Sequence, residues 1–127
     1  MITRGLLAAF FCFFSAMALA QQFTEEDVIG KIAECMTENA PDDWQRLIFT
    51  LDKADPNRRG EGVATHKVVA GSPDAKPQDL KPCRPDYVPK AVATFRETQD
   101  EKARRWTGIT VTLERDGRYS INYRYPK

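Results

Sequence analysis

The stretch WTGITVTLERDGRYSINYRYPK, residues 106–127, decides the fold that the sequence predicts. Its first half alternates Ile109, Val111 and Leu113 with threonines, and its second half alternates tyrosines and one isoleucine with polar residues. Side chains two apart along a strand share a face of the sheet, and an Asp-Gly pair between two such runs is typical of a tight hairpin. The stretch therefore predicts a β-hairpin that turns at Asp116-Gly117.

Two helices and one more pair of strands are predicted upstream of this hairpin. Residues 24–40 begin with a threonine cap and three acids and then carry one apolar stripe, which is typical of a helix that ends before Pro41. The sequence pattern predicts strands over residues 44–53 and 62–71 and a helix over residues 87–105. Residues 71–85 hold four of the eight prolines and predict a loop. The sum is a single α+β domain in the order α-β-β-α-β-β, with an antiparallel sheet and helices packed on one face.

The first twenty residues, MITRGLLAAFFCFFSAMALA, have the order of a secretory signal peptide. One basic residue, Arg4, precedes an apolar run, and the small-residue ending Ala-Leu-Ala closes at Ala20. The apolar run is shorter than the roughly 20 residues that a membrane span needs, which favours cleavage over an anchor. Cys12 follows residues too bulky for a lipoprotein signal. We therefore expect residues 1–20 to be removed, leaving a periplasmic binding domain of residues 21–127 without stable membrane insertion.

The two cysteines that remain after cleavage, Cys35 and Cys83, predict one disulfide. An exported protein left with an even pair of cysteines in an oxidising compartment normally joins them. A metal site is disfavoured because His66 is the only histidine and the chain has no CxxC spacing. We accordingly expect a structural disulfide, no metal and no cofactor.

The residues that carry chemistry are too few to predict an enzyme. A nucleophile needs a base beside it and a third group that orients the base. The chain after the leader has two serines, Ser72 and Ser120, and His66, which as a lone histidine on a strand is expected at the surface. Acid pairs such as Asp42-Asp43 are typical of turns, and phosphate-loop, HExxH and GxSxG motifs are absent from the sequence. We predict no catalytic residue.

Nucleic-acid binding is a second possible function that the sequence of the closing hairpin suggests. Arginines interleave with aromatics there, and aromatics with basic neighbours can stack bases. However, the tyrosines share the strand face of Ile121 and are expected mostly in the core, and an exported protein meets little nucleic acid. We therefore expect a protein partner and no nucleic acid.

The charges of the chain are unevenly distributed along it. Residues 21–55 hold three bases against nine acids, and residues 56–127 hold fifteen bases against nine acids. Such asymmetry indicates complementarity within the fold or with a partner, with two separately solvated faces as the alternative. This asymmetry suggests two candidate partner-binding surfaces. The acidic group is Glu34, Glu38, Asp42 and Asp43, and the arginine group is Arg115, Arg118 and Arg124. We favour the acidic group, because acids flank the arginines of the other group in sequence.

Two segments, ENAPDDWQRLIFTLDK (38–53) and RRWTGITVTLERDGRYSINYRYPK (104–127), resemble the YezG-like immunity (antitoxin) proteins. The shared features are a helix ending in Asn-x-Pro, an acidic pair before Trp44, a strand at Trp106, and a Glu-Arg-Asp-Gly-Arg-Tyr turn into an aromatic strand ending in Tyr125. The resemblance spans nearly the whole chain after the leader. It implies a small bacterial α+β protein that neutralises a polymorphic toxin by binding it.

The leader and the cysteine pair depart from that family, whose members act in the cytoplasm, often against nucleases. An exported member would meet its toxin outside the cytoplasmic membrane. The expected function is therefore stoichiometric neutralisation of a bacterial toxin or effector that acts in the cell envelope. The alternatives are a periplasmic inhibitor of a hydrolase such as lysozyme, an envelope-stress protein and, third, an enzyme.

The leader yields the first prediction. N-terminal sequencing of the exported protein should find Gln21 as the first residue, because the cleavage motif ends at Ala20. A chain that retains Met1, or one that carries lipid on Cys12, would contradict it.

Overall fold

The computed structural model describes residues 23–55 and 62–127, so the expected leader lies outside the described residues. Within these residues, one five-stranded antiparallel sheet has the strand order β3-β2-β1-β4-β5, and two α-helices pack on it. The α+β class and the single small domain predicted from the sequence are confirmed. In chain order the elements are α1 (Glu25–Met36), a 3-10 turn (Thr37–Asn39), β1 (Trp44–Asp52), β2 (Val63–Ala70), β3 (Gln78–Asp79), α2 (Tyr87–Thr98), a second 3-10 turn (Ala103–Arg105), β4 (Gly108–Glu114) and β5 (Tyr119–Arg124).

The core lies between the two helices and one face of the sheet. The alternating apolar residues of the two central strands meet in register, since Leu47 pairs with Leu113, Phe49 with Val111, and Leu51 with Ile109. All six are buried. Each helix turns its apolar stripe onto this layer, and the buried members are Val28, Ile32, Cys35 and Met36 of α1 and Val88, Val92 and Phe95 of α2.

The start of α1 is closed by a capping box. The Asp27 N–H donates to the Thr24 hydroxyl (3.3 Å), and the Thr24 N–H donates to the Asp27 carboxylate (2.7 Å). Two N–H groups that the helix cannot pair by itself are thereby satisfied, and the acids of the first turn lie at its positive end. The helix start predicted from the sequence is confirmed.

The second helix ends earlier than the sequence predicts. The predicted helix runs to Arg105, whereas α2 ends at Thr98 and Gln99 is extended. The reason is tertiary, because the indole N–H of fully buried Trp106 donates to the Gln99 side chain (2.9 Å) and Arg96 lies over the indole ring, 4.1 Å from its centroid. Packing of the tryptophan outweighs the helix preference of the polar residues after Thr98.

The proline-rich loop contains a strand that the sequence did not predict. Gln78 and Asp79 form β3 at one edge of the sheet, opposite Val68 and Lys67 of β2. These two residues lie between Pro77 and the later prolines, so their N–H groups are free to join the ladder. The remainder of residues 71–85 is irregular, as predicted.

The predicted cysteine pair is brought together. The sulfur atoms of Cys35 and Cys83 lie at bonding distance, 2.13 Å, and join the last turn of α1 to the segment before α2. The Cys83 N–H donates to the Cys35 carbonyl (3.1 Å), and the Asn39 amide donates to the Lys81 carbonyl (3.0 Å). The irregular loop is thus held to the helix layer at its C-terminal end.

Loss of this link should lower stability. The Cys35→Ser, Cys83→Ser double variant is expected to lose about 2–5 kcal/mol of unfolding free energy, as is usual for small secreted domains. Urea unfolding of the oxidised protein and of this variant would measure the difference. Labelling of both thiols in the native, unreduced protein, or equal stability of the two forms, would contradict the prediction.

Candidate functional site

The turn that leads into β1 presents two residues of the acidic group. The Trp44 N–H donates to the Pro41 carbonyl (3.1 Å) and closes the turn, which leaves the side chains of Asp42 and Asp43 exposed. The Gly71 N–H donates to the Asp43 carbonyl (3.0 Å), so the turn is also joined to the end of β2. The two carboxylates therefore sit on a fixed backbone at one end of the sheet.

A β-bulge sets the position of Trp44. The pairing of β1 with β2 shifts between Trp44 and Arg46, so Gln45 is the extra residue. In a regular strand Trp44 would share the face of Arg46, which is the face away from the helices. The bulge redirects it, and its half-buried ring packs at the rim of the core.

Arg115, from the hairpin turn, covers the outer side of the same ring. Its guanidinium carbon lies 4.9 Å from the Trp44 ring centroid, and its Nη1 donates to the carbonyls of Asp42 (2.8 Å) and Trp44 (3.1 Å). A cation over the indole face is attracted by the ring quadrupole. One member of the arginine group thus lies beside the acidic turn, so the two candidate surfaces meet at this point.

The acidic group is distributed over the helix layer and the turn before β1. Glu34 lies in α1, Glu38 lies in the 3-10 turn that follows, and Asp42 and Asp43 precede β1. All four are exposed, and none of the ion pairs among residues 23–55 and 62–127 involves their carboxylates. Their negative charges are therefore available to a partner. The fold brings one cation, the guanidinium of Arg115, to the backbone of the acidic turn.

The other two members of the arginine group lie at opposite ends of β5. Arg118 pairs with Asp116 in the hairpin turn (2.8 Å), and the Arg118 N–H that donates to the Asp116 carboxylate helps to hold the pKa of that carboxyl below its usual value. Arg124 pairs with Asp52 (2.6 Å) and donates to the Thr110 hydroxyl (2.7 Å). Since Asp52 belongs to the acid-rich half of the chain and Arg124 to the base-rich half, part of the charge asymmetry is neutralised within the fold.

The tyrosines of β5 and of the residue that follows it are less buried than the sequence predicts. Tyr119 is 37% exposed and Tyr125 49% exposed, and Tyr123 is half-buried. The reason is that β5 is an edge strand, which α1 reaches with its first turn, where the Tyr123 hydroxyl donates to Glu25 (2.9 Å). Desolvation and this hydrogen bond raise the pKa of Tyr123 well above its ordinary value.

His66 faces the helix side of the sheet, where the sequence had predicted a surface residue. Its ring lies 5.1 Å from that of Phe49 in an edge-on arrangement, and its Nε2 is buried without a hydrogen-bond partner in the described part of the protein. Burial lowers the pKa of the imidazole.

The two serines lie away from His66 in the fold. Ser72 lies in the turn after β2, where its hydroxyl accepts the Asp74 N–H (3.3 Å), and Ser120 lies on β5 opposite Thr112. The three candidate nucleophile and base residues are thus placed on separate elements.

The helix-free face of the sheet is a surface that sequence reasoning missed. The register aligns Thr65, Thr50, Thr110 and Asn122 in one row across four strands, and Lys67, Ile48, Thr112 and Ser120 in the next. The alternating threonines of residues 106–114 indicate a polar face on one strand. The rows of residues across several strands, however, follow only from the register of the sheet. We call these eight residues the open sheet face.

No protein-family model matches the chain, and no curated protein sequence is similar to it. The resemblance to the YezG-like proteins therefore stays a prediction. Neither helix of residues 23–55 and 62–127 is long and apolar enough to cross a membrane. The same residues contain no cluster of three or more histidine, cysteine or carboxylate side chains arranged to hold a metal ion.

The burial of His66 predicts a pH dependence of stability. Its pKa is lower in the folded state than the ordinary value of about 6.5, so the unfolded chain binds more protons just below that pH, and stability should fall as the pH drops below it. The His66→Phe variant, which keeps the ring contact with Phe49, should lose this part of the pH dependence. Urea unfolding of both proteins between pH 7 and pH 5 would test it, and parallel curves would contradict it.

Proposed function

We propose that this protein is an exported immunity protein, which neutralises a bacterial toxin or effector of the cell envelope by stoichiometric binding. The observation that carries the proposal is the Trp44–Arg115 pair, held at the protein surface by two hydrogen bonds of Arg115 and flanked by the exposed carboxylates of Asp42 and Asp43. The resemblance to the YezG-like proteins supports the immunity role. The cysteine pair supports export, since disulfides persist in oxidising compartments.

The chemistry of the pair suits a protein interface. Tryptophan and arginine are enriched among the residues that dominate binding energy at such interfaces. Arg115 is already held by two carbonyls and by the ring beneath it, so it has less side-chain entropy to lose when a partner covers it. The residues that a partner would bury first are therefore largely preorganised.

The charges of the acidic group favour a basic partner surface. Glu34, Glu38, Asp42 and Asp43 lie within ten residues of chain, and their carboxylates are exposed. Clustered charge of one sign speeds association with an oppositely charged surface and limits binding to other partners. A toxin with lysine or arginine side chains around an apolar recess would match both features.

A pull-down from the periplasmic fraction with mass spectrometry would identify the partner. One bacterial toxin captured at a fixed stoichiometry, and inhibited by the pure protein, would support the proposal. A host lysozyme inhibited in the same way would favour the hydrolase-inhibitor alternative. Turnover of an envelope substrate with no stoichiometric partner would overturn the binding proposal in favour of an enzyme.

The Asp42→Lys, Asp43→Lys double variant should bind this partner more weakly while it stays folded. Reversal of charges at the rim mainly slows association and alters its salt dependence, whereas reversal of desolvated charges costs about 2–5 kcal/mol of binding free energy. Calorimetry with the captured partner would measure the loss, and circular dichroism and melting would verify the fold. The matched control is Asp74→Lys, Glu101→Lys, which makes the same charge change at two exposed acids that belong to none of the ion pairs among residues 23–55 and 62–127.

Two results would contradict this assignment. If the double variant binds as tightly as the parent while Arg118→Glu or Arg124→Glu abolishes binding, the arginine group is the binding surface. If His66→Ala alone abolishes neutralisation in a folded protein, the function depends on the imidazole and the binding proposal fails.

A further inference from the structure

Two carboxylates of α1 are held beside the outer edge of β5 by tyrosine hydroxyls. The Tyr123 hydroxyl donates to Glu25 (2.9 Å), and the Tyr119 hydroxyl donates to Glu26 (3.3 Å). Neither carboxylate belongs to an ion pair among residues 23–55 and 62–127. The side chain of Ile121 lies between the two tyrosines on the same face of the strand. The helix side of this edge therefore presents one apolar residue flanked by two tyrosine–carboxylate pairs.

The arginines at the two ends of β5 do not offset these carboxylates. Arg118 pairs with Asp116 in the hairpin turn (2.8 Å). Arg124 lies over Gly108 of β4, which has no side chain to obstruct it, and its guanidinium pairs with Asp52 (2.6 Å). Both arginine charges are thus neutralised within the fold, away from Glu25 and Glu26.

The charge that remains near this edge is negative. The cleft of α1 beside Glu26 is lined by two further acids, Asp27 and Glu34, and by one cation, Lys31. A lysine or arginine side chain can lay its aliphatic stem on apolar surface, and its charge is attracted by carboxylates and by the faces of aromatic rings. The tyrosine–carboxylate pairs therefore suit basic side chains, while Ile121 suits an apolar one.

The backbone of the same three residues is free to pair. β5 is the last strand of the sheet and pairs with β4 on its inner side. The Arg118 carbonyl accepts the Glu114 N–H (2.8 Å), so the even-numbered residues of β5 also turn their backbone groups toward β4. The N–H and C=O groups of Tyr119, Ile121 and Tyr123 consequently point outward, and such an edge is a template for one more strand.

We propose that the β5 edge binds, by antiparallel strand addition, an extended segment of a partner protein with the order basic-x-apolar-x-basic. Residues directly opposite each other in such a pair share a face. The apolar residue of the segment lies opposite Ile121, and its two basic residues lie opposite Tyr119 and Tyr123, where their charges reach Glu26 and Glu25. The inference does not rest on the proposed function.

The test uses a synthetic lysine peptide, acetyl-Thr-Lys-Thr-Val-Thr-Lys-Thr-amide, and the full folded protein. Amide hydrogen exchange followed by NMR should slow at Tyr119, Ile121 and Tyr123 when the peptide is added, and should change little at Ser120 and Asn122, whose amides already face β4. A glutamate peptide, with each lysine replaced by glutamate, should protect the three amides less at equal concentration. Unchanged exchange at all three amides with excess lysine peptide, or equal protection by the two peptides, would overturn the proposal.

Methylation of the peptide backbone separates strand addition from charge attraction. In the proposed pairing the central valine turns its N–H toward β5, and the threonines beside it turn theirs away. N-methylation of the valine should weaken binding of the lysine peptide by at least about tenfold, whereas N-methylation of the threonine that follows it should have a smaller effect. Equal binding of the two methylated peptides would overturn the proposal, and so would the reverse order.

Two protein variants test the carboxylates. Glu25→Gln, Glu26→Gln keeps oxygen acceptors for the tyrosine hydroxyls and removes both charges, so it should bind the lysine peptide about threefold more weakly or worse and lose the preference over the glutamate peptide. The matched control, Glu38→Gln, Glu101→Gln, makes the same charge change at two exposed acids on other elements and should keep the preference. Circular dichroism and melting would verify that both variants fold. An unchanged preference in the first variant would overturn the assignment.

The free protein supplies the last comparison. Without peptide, exchange at the amides of Tyr119, Ile121 and Tyr123 should not depend on protein concentration. Protection of these amides that grows with protein concentration would show that a second copy of the chain occupies the edge, and would overturn the proposal.

Discussion

The pairing of β1 with β4 is the constraint on which the rest of this structure depends. It sets Leu47, Phe49 and Leu51 beside three buried residues of β4 on one face. A slip of one residue would turn these side chains to the solvent and expose the apolar stripes of both helices, so a single register is strongly favoured. The register of the outer strands follows from this pairing. It therefore also sets the rows of the open sheet face and which residues of β5 face the helices.

The same constraint explains where the charges of the chain lie. Because alternate residues of the central strands are committed to the core, the charged ones lie on the opposite face, where Arg46 pairs with Glu114 (2.8 Å). The acid-rich and base-rich halves of the chain then meet across the sheet, as Arg124 and Asp52 do. The carboxylates of the acidic group stay outside these pairs, because the turn before β1 carries two of them beyond the strands.

Trp106 shows how one buried side chain can overrule a local preference. The polar segment after Thr98 has the composition of a solvated helix, yet the chain leaves the helix there. Arg96 lies over the indole and donates to the carbonyls of Arg104 (3.0 Å), Asp55 (3.3 Å) and Trp106. These contacts join α2, the second 3-10 turn, the residues just before β4 and the segment after β1 around one ring. A continued helix would lose them together with the burial of the tryptophan.

The sequence by itself determined the two helices, the four longer strands, the closing hairpin and the cysteine pair. Those features depend on periodicity, on capping and turn residues and on residue counts, all of which are local or compositional. Gly117, with φ 95°, is where the hairpin needs a residue without a side chain, and an Asp-Gly pair signals that directly. The tertiary structure alone decided the end of α2, the pairing of β3, the burial of His66, the exposure of the β5 tyrosines and the placement of Arg115 over Trp44. These depend on which element lies beside which, and residues 71 positions apart meet only after the register of the sheet has formed.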